Sequence, residues 1–168
     1  MTAQEIQDTL HHFGGITHIL QDTECFIRFA QRLPPNPVIL ETGTCFGKSA
    51  CSWVLATGGF VYTMENTKRT NIAQNNINSV GLQDSVKVIQ CNSEFYPWDK
   101  MVDVVYLDSD HTPDHLIQEI RKYTPFAKHL ICGHDYGHPE FPGVQMMVDN
   151  YFGKIDVDGT IWYRWLNG

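Results

Sequence analysis

Short apolar runs alternate with amphipathic segments over most of the chain. The runs are rich in Val, Ile, Leu and aromatic residues, as is typical of strands buried on both faces of a parallel sheet. Between them, apolar positions recur at helical spacing. The pattern predicts strands over 38–42, 60–65, 86–91, 102–107 and 129–133, and helices over 48–57, 67–80, 112–123 and 143–152.

The C-terminal part departs from this alternation. Apolar and aromatic positions over 154–157 and 161–166 flank the dipeptide Asp158-Gly159, which is typical of a two-residue hairpin turn. Alternating βα units followed by a hairpin indicate an α/β fold. We therefore expect a doubly wound, Rossmann-like sandwich: a mostly parallel seven-stranded sheet with a C-terminal antiparallel hairpin, and one reversed strand at or near an edge.

The N-terminal part contains no strand pattern. Helices are expected over 3–12 and 23–33, and the prolines at 34, 35 and 37 stop the second one. No repeat or Gly/Ser-rich linker divides the 168 residues, so the sequence predicts one domain, 1–168. Within it, residues 1–33 are a candidate lid over a Rossmann-like core of 38–168.

Composition narrows the classes of function. The net charge of −7, without a basic run, argues against a nucleic-acid partner and favours a small-molecule substrate. Five cysteines without a Cys-x-x-Cys pair indicate reduced thiols and a cytoplasmic protein. The first ten residues are polar, which predicts neither a signal peptide nor a membrane span.

Polar and ionisable residues follow all five predicted parallel strands. In such sheets, ligands bind beyond the carboxyl ends of the strands, where the strand order reverses. The sequence therefore predicts a ligand site at this edge. The strand ends read Glu41-Thr42-Gly43-Thr44-Cys45-Phe46-Gly47, Met64-Glu65-Asn66, Gln90-Cys91-Asn92-Ser93, Leu107-Asp108-Ser109-Asp110-His111 and Cys132-Gly133-His134-Asp135-Tyr136.

Phosphate-binding loops fit the first strand end poorly. Gly47-Lys48-Ser49 is similar to the end of a P-loop, but Thr42 occupies the place of the required earlier glycine. A dinucleotide fingerprint needs a second glycine where Cys45 stands. Glu65, at the end of the second strand, is still well placed to bind a ribose. The residues thus favour a ligand that has a ribose but needs no close approach to a pyrophosphate.

The chain resembles class I S-adenosylmethionine (SAM)-dependent methyltransferases from about residue 38 to 152. The similarity is to the small-molecule O-methyltransferase branch, whose first motif is Glu-x-Gly-Thr-x-x-Gly-x-Ser. This resemblance implies an enzyme that methylates a hydroxyl group of a small molecule. The matching segments are 41–49, Leu107-Asp108-Ser109-Asp110-His111, His134-Asp135-Tyr136 and Pro142-Gly143-Val144.

The resemblance also implies how SAM is held. The first loop would wrap the methionine end, Glu41 would lie near the cofactor amino group, and Glu65 would accept hydrogen bonds from both ribose hydroxyls. Asn92 and Ser93 would meet the adenine, where the family usually has Gly-Asp-Ser; an Asn carbonyl still accepts a hydrogen bond. The implied cofactor residues are Glu41, Gly43, Thr44, Gly47, Ser49, Glu65, Asn66, Asn92, Ser93 and Asp108.

Two mechanisms stay open for removal of the acceptor proton. In metal-using relatives, an acid after the fourth strand and two adjacent acids after the fifth hold a divalent cation. The matching residues are Asp108, His134 and Asp135, and an imidazole at 134 suits Mn, Fe or Zn better than Mg. In the metal-free alternative, His111 or His134 is the base. The candidate catalytic residues are Asp108, Asp110, His111 and Asp135.

Two other functions compete with this one. The chain could be a cofactor-binding module of the same fold without chemistry, or a P-loop-like nucleotide phosphotransferase. Asp108, Asp110 and Asp135 lie at two neighbouring strand ends, where their repulsion lowers stability. A module without chemistry has no need for these three acids together, so their presence favours an enzyme. The sequence does not identify the acceptor, which could be a sugar, phenol or polyketide hydroxyl. It also leaves open a homodimer through the hairpin edge or the N-terminal helices. Residues 136–142 are expected to form a wall of the acceptor pocket.

Overall fold

The computed structural model of the protein describes residues 1–14 and 20–166. A short 3₁₀ turn, Thr124–Phe126, joins the fifth helix to the fifth strand. The strands are β1 (Val38–Thr42), β2 (Phe60–Glu65), β3 (Val86–Gln90), β4 (Val102–Leu107), β5 (Ala127–Gly133), β6 (Asp156–Asp158) and β7 (Ile161–Trp165); the helices are α1 (Ala3–Thr9), α2 (Leu20–Ala30), α3 (Lys48–Thr57), α4 (Thr70–Ser79), α5 (Pro113–Tyr123) and α6 (Pro142–Phe152).

The seven strands form one sheet in the order β3-β2-β1-β4-β5-β7-β6. β7 runs antiparallel to β5 and β6, whereas the pairs among β1 to β5 are parallel. Thr42 lies opposite Leu107, and Leu107 opposite Gly133, so β1, β4 and β5 end at the same level. The strand order reverses between β1 and β4, which brings their following loops together at the expected ligand edge.

Helices cover both faces of the sheet, and alternate strand residues point to opposite sides. Ile39 and Val104 pack with α1, α2 and α3 in one buried cluster, in which Trp53 stacks on Phe26 at 3.9 Å between ring centroids. The other cluster joins the remaining strand positions to α5 and α6. The sheet is therefore buried on both faces, as its continuous apolar runs predicted.

The expected fold class is confirmed, including the one reversed strand beside the edge. β1, β2, β4 and α3 have the predicted bounds. The N-terminal helices differ: α1 ends at Thr9, and α2 covers 20–30 because the amides of Arg32 and Leu33 turn back to the Phe29 carbonyl before the prolines. A lid role for 1–33 stays a prediction, and residues 15–19 of that segment lie outside the described part.

The remaining bounds shift by small amounts. α4 begins three residues later than predicted, β5 begins two residues earlier, and β6 covers 156–158 where 154–157 was expected. Within the described residues, no helix combines the length and apolar character needed to cross a membrane.

Candidate active site

A cavity of about 1190 Å³ opens over the carboxyl ends of β1, β2, β4 and β5. Its volume is sufficient for a nucleoside-sized ligand together with a second small molecule. Most of the residues predicted from the sequence reach it. Those lining the cavity are Gly43, Thr44, Ser49, Glu65, Asn66, Ser93, Asp108, Asp110, His111, His134 and Asp135, whereas Glu41, Gly47 and Asn92 do not line it.

The loop after β1 is folded tightly against β4. Gly43 has a φ of +93°, and a Cβ atom there would lie 1.9 Å from the Asp108 carbonyl oxygen, so only glycine fits. The amides of Gly43 and Thr44 both donate to the Met64 carbonyl at 3.0 Å. This loop therefore forms a rigid floor of the cavity between β1, β2 and β4.

Glu65 is fixed at the end of β2. Its Oε2 accepts from the Cys45 amide at 2.7 Å, and its Oε1 accepts from the Thr67 amide at 2.9 Å. Each carboxylate oxygen has a second lone pair. The buried side chain can thus accept two further hydrogen bonds from a ligand in the cavity, as a ribose diol requires.

Glu41 lies beneath the loop and is fully buried. Its Oε2 accepts a short hydrogen bond from Thr63, while its Oε1 has no partner among the described residues. Burial raises the pKa of Glu41 to about 8. At neutral pH the group is therefore mostly an uncharged carboxylic acid, and it lies behind the cavity wall instead of facing a ligand.

The loop after β3 presents a different set of side chains from the one expected. Cys91 and Ser93 line the cavity. The Asn92 Oδ1 accepts from the Glu94 amide at 2.9 Å and so closes a local Asx turn. Of the two residues expected to meet adenine, Ser93 thus lines the cavity, whereas Asn92 does not line it.

Carboxylates and imidazoles alternate at the ends of β4 and β5. His111 Nε2 lies 2.7 Å from Asp135 Oδ2 and 3.4 Å from Asp108 Oδ1. On its other side, Asp135 Oδ1 lies 3.2 Å from His134 Nδ1. Asp135 has a φ of +60°, a conformation that holds its side chain between the two rings. We call Asp108, His111, His134 and Asp135 the acid–imidazole group.

Two residues outside the sequence motifs support this group. Asp22 of α2 is 1% exposed, and its Oδ2 lies 3.3 Å from His134 Nε2. Thr160, in the β6–β7 turn, places its Oγ1 3.0 Å from the same nitrogen. Sequence reasoning missed both, because an acid in an amphipathic helix and a threonine in a hairpin turn usually face solvent.

The pKa values follow from these contacts. Burial alone would lower the pKa of His111 and of His134, but hydrogen bonds to carboxylates outweigh it and raise them to about 9 and about 11. Burial alone would raise the pKa of Asp135, but the two rings hold it well below its usual range. Burial raises the pKa of Asp108, and backbone and side-chain hydrogen bonds from Thr112 lower that of Asp110.

The grouping of candidate metal ligands differs from the sequence expectation. One ligand atom from each of Asp108, His111 and Asp135 lies within 4.8 Å of the others. The sequence pattern placed His134 in this set and not His111. His134 Nε2 is directed at Asp22 and Thr160, while its Nδ1 lies 3.2 Å from Asp135 Oδ1. Carboxylate and imidazole donors in this number suit Mn, Fe or Zn.

The loop after β5 forms a wall beside the acid–imidazole group, as expected for 136–142. Phe141 stacks on His111 with 4.5 Å between ring centroids, and His138 stacks on Phe141 at 5.2 Å. Gly143 packs against Pro113, where a Cβ atom would lie 2.5 Å from the proline Cγ. This end of the cavity thus combines an aromatic surface with ionisable groups.

Comparison with known proteins identifies the fold. No family model and no curated protein matches the sequence. Among solved structures, an O-methyltransferase from Bacillus cereus in complex with SAH matches with a TM-score of 0.68 and 18% identity over 96% of this chain and 89% of that one. A putative caffeoyl-CoA O-methyltransferase from Staphylococcus aureus matches with a TM-score of 0.77 and 16% identity over 98% and 92%.

A SAM-dependent O-methyltransferase from Thermotoga maritima is similar as well, with a TM-score of 0.74 and 16% identity over 95% of this chain and 70% of that one. The protein therefore has the Rossmann-like fold of SAM-dependent O-methyltransferases. The fold that the resemblance implied is confirmed by these structures.

Proposed function

We propose that the protein is a SAM-dependent methyltransferase that methylates a hydroxyl group of a small molecule. One observation carries this proposal: a single cavity combines the glycine-bent loop and Glu65 at one end with the acid–imidazole group at the other. The first end suits a ribose-containing cofactor without a pyrophosphate. The second end can orient a hydroxyl group and take up its proton.

The residues at the first end fit SAM. Glu65 offers two free lone pairs to the ribose hydroxyls, while Thr44 and Ser49 line the cavity beside the tight loop. When bound, SAM supplies a methyl group on a sulfonium ion, which is the reactive part of the chemistry. The protein contributes alignment and exclusion of water.

The acid–imidazole group, at the other end of the cavity, would remove the proton of the acceptor hydroxyl. Asp110 and Asp135 are weak bases because their pKa values are lowered. His111, with its raised pKa, is the stronger acceptor once it has lost its own proton to solvent. Alternatively, a divalent cation held by Asp108, His111 and Asp135 would acidify the hydroxyl group.

Thermal unfolding with SAM, SAH, ATP with Mg²⁺, and NAD tests the cofactor. A ligand at 100 times its dissociation constant adds about 2.7 kcal/mol, which raises the melting temperature of a domain of this size by roughly 5–10 °C. We expect a shift with SAM and SAH only. A shift with ATP alone would favour the phosphotransferase, and no shift with any ligand would reject the proposal.

Transfer of a labelled methyl group tests the reaction. Purified protein is incubated with methyl-labelled SAM and a panel of catechols, sugars and polyketides. We expect label in at least one hydroxyl-bearing acceptor and loss of that labelling in His111→Ala. Binding of SAH by a protein that labels no member of the panel would favour the non-catalytic module.

A further inference from the structure

The adenine end of the cavity lacks the side chain that the motif supplies. Asn92 closes its own turn and does not line the cavity. If Glu65 holds the ribose, the base lies beside the loop after the neighbouring strand β3, near Ser93. Ser93 lines the cavity there, and a polar group other than Asn92 is needed to accept a hydrogen bond from the edge of the base.

His115 occupies this place. It lies on the first turns of α5 and lines the cavity. Its Nε2 is 3.4 Å from Ser93 Oγ and 3.1 Å from Ser109 Oγ, so the ring bridges the loops that follow β3 and β4. The sequence pattern gave it no role, because a histidine on an amphipathic helix usually faces solvent.

A buried carboxylate fixes the orientation of this ring. Glu119, one turn further along α5, is 0% exposed, and its Oε1 lies 3.2 Å from His115 Nε2. The carboxylate also accepts hydrogen bonds from Thr42 at 3.1 Å and Ser109 at 2.8 Å. Burying a charged group is costly unless it is bonded in this way. Glu119 therefore ties the ring to the ends of β1 and β4.

The tautomer of His115 follows from this network. Because a carboxylate only accepts hydrogen bonds, Nε2 carries the proton and donates it toward Glu119. Nδ1 lies 3.8 Å from Glu94 Oε2, which is too long for a hydrogen bond. The hydrogen bond to Glu119 raises the pKa of His115 although burial opposes this, and the charges of Asp110 and Glu94 raise it further. Above that pKa the ring is neutral, and its Nδ1 is then a free acceptor.

We propose that His115 reads the adenine ring of the cofactor in place of Asn92. The exocyclic amine of adenine donates to Nδ1, and hypoxanthine, which carries a carbonyl oxygen at that position, cannot. The site therefore selects an adenine nucleoside through His115 of α5 and not through Asn92. This inference rests on the proposed SAM-dependent function.

Calorimetric titration at about pH 8.5, where more of the His115 ring is neutral than at lower pH, tests the proposal. The ligands are SAH and S-inosylhomocysteine, its hypoxanthine analogue. We expect the wild-type protein to bind SAH at least about tenfold more tightly than the analogue, since the analogue leaves a buried acceptor unpaired. His115→Ala is expected to weaken SAH binding about tenfold and to abolish this preference. His129→Ala, a histidine beside Asp103 and remote from the cavity, is the matched control and should change neither value.

The outcomes separate the inference from the proposed function. If the wild-type protein binds neither compound, the proposed function fails and His115 has no adenine to read. If it binds SAH without preference over the analogue, or if Asn92→Ala and not His115→Ala removes the preference, the proposed function stands and the role of His115 is rejected. The wild-type comparison needs no variant, so the test does not depend on the folding of His115→Ala.

Discussion

The carboxyl group of Glu41 shows how burial changes the protonation of a residue in a sequence motif. It lies at the end of β1, fully buried, with one oxygen bonded to Thr63 and the other without a partner among the described residues. Burial penalises the charged form, so the folded protein keeps this acid protonated at neutral pH. Its ionisation is therefore linked to folding.

We predict that Glu41→Gln removes a pH dependence of stability. The pKa rises from 4.5 in the unfolded chain to about 8 in the folded one, so the contribution to stability is full below pH 4.5 and is lost as pH rises through about 8. Glutamine is uncharged and similar in shape. Urea unfolding at several pH values should show the wild type losing stability relative to the variant over this window.

The matched control for this measurement is Glu24→Gln, which changes a half-exposed acid on α2. It should follow the wild-type curve. Parallel curves for the wild type and Glu41→Gln would mean that Glu41 is already ionised in the folded protein, and that its buried oxygen has a partner such as water.

At the scale of elements, the strands were the most predictable part. Strands buried on both faces carry continuous apolar runs, and for this reason β1, β2 and β4 have the predicted bounds. The shared edge of their carboxyl ends follows from parallel pairing, which is why Asp108, His111 and Asp135 could be expected together. Helix ends were less predictable, since short turns such as the one after Ala30 compete with the last helical turn.

Contacts between elements distant in sequence were not predictable. Asp22 contacts His134 because α2 packs against the sheet. The spacing of residues along the chain gives no sign of this contact. The position of the Asn92 side chain has a local cause, because its Oδ1 closes an Asx turn within the loop after β3. The residues at the site could thus be predicted from the strand ends, but their interaction partners became known only from the packing of the helices and loops.

The docking of α2 yields a second prediction. Asp22→Ala removes a carboxylate beside the His134 imidazole, and breaking a buried ion pair costs about 3–5 kcal/mol. Asp158→Ala breaks the ion pair between Arg28 of α2 and Asp158 of the hairpin. Because these two side chains are 47% and 28% exposed, the change should lower the free energy of unfolding by less than about 1 kcal/mol. Urea unfolding measures both free energies.

A double-mutant cycle assigns the cost of Asp22→Ala to its partner. In a His134→Asn background the same change should cost less, because no imidazolium is left without a counter-charge. An equal cost in both backgrounds would mean that Asp22 stabilises α2 through its other contacts. The acid–imidazole group would then not depend on the N-terminal helices.

On the scale of the whole molecule, the site draws on distant parts of the chain. Asp22 comes from α2, Asp108 and Asp135 from the ends of β4 and β5, and Thr160 from the hairpin. An ion or ligand bound there contacts groups that only the complete fold brings together. Its binding should therefore stabilise the global structure.

A divalent cation provides the corresponding test. To ligate Mn²⁺, His111 must first lose a proton, and its pKa is raised to about 9 because its carboxylate partners outweigh the effect of burial. Below that pH, the fraction of His111 that is neutral rises about tenfold with each pH unit. The affinity for Mn²⁺ should therefore also rise about tenfold per pH unit. The increase in melting temperature with a fixed Mn²⁺ concentration should thus be larger at about pH 8.5 than at about pH 6.5.

Two variants distinguish ligation of Mn²⁺ by the His111 ring from general electrostatic attraction of the cation to the carboxylates. His111→Asn should flatten the pH dependence, because the titrating ligand is gone, whereas His138→Asn, stacked on Phe141 outside the acid–imidazole group, should retain it. Equal Mn²⁺ shifts at both pH values in the wild type would mean that the cation binds the carboxylates without His111. The absence of any shift would leave His111 or His134 as the base of a metal-free transfer, since Asp110 and Asp135 are weak proton acceptors.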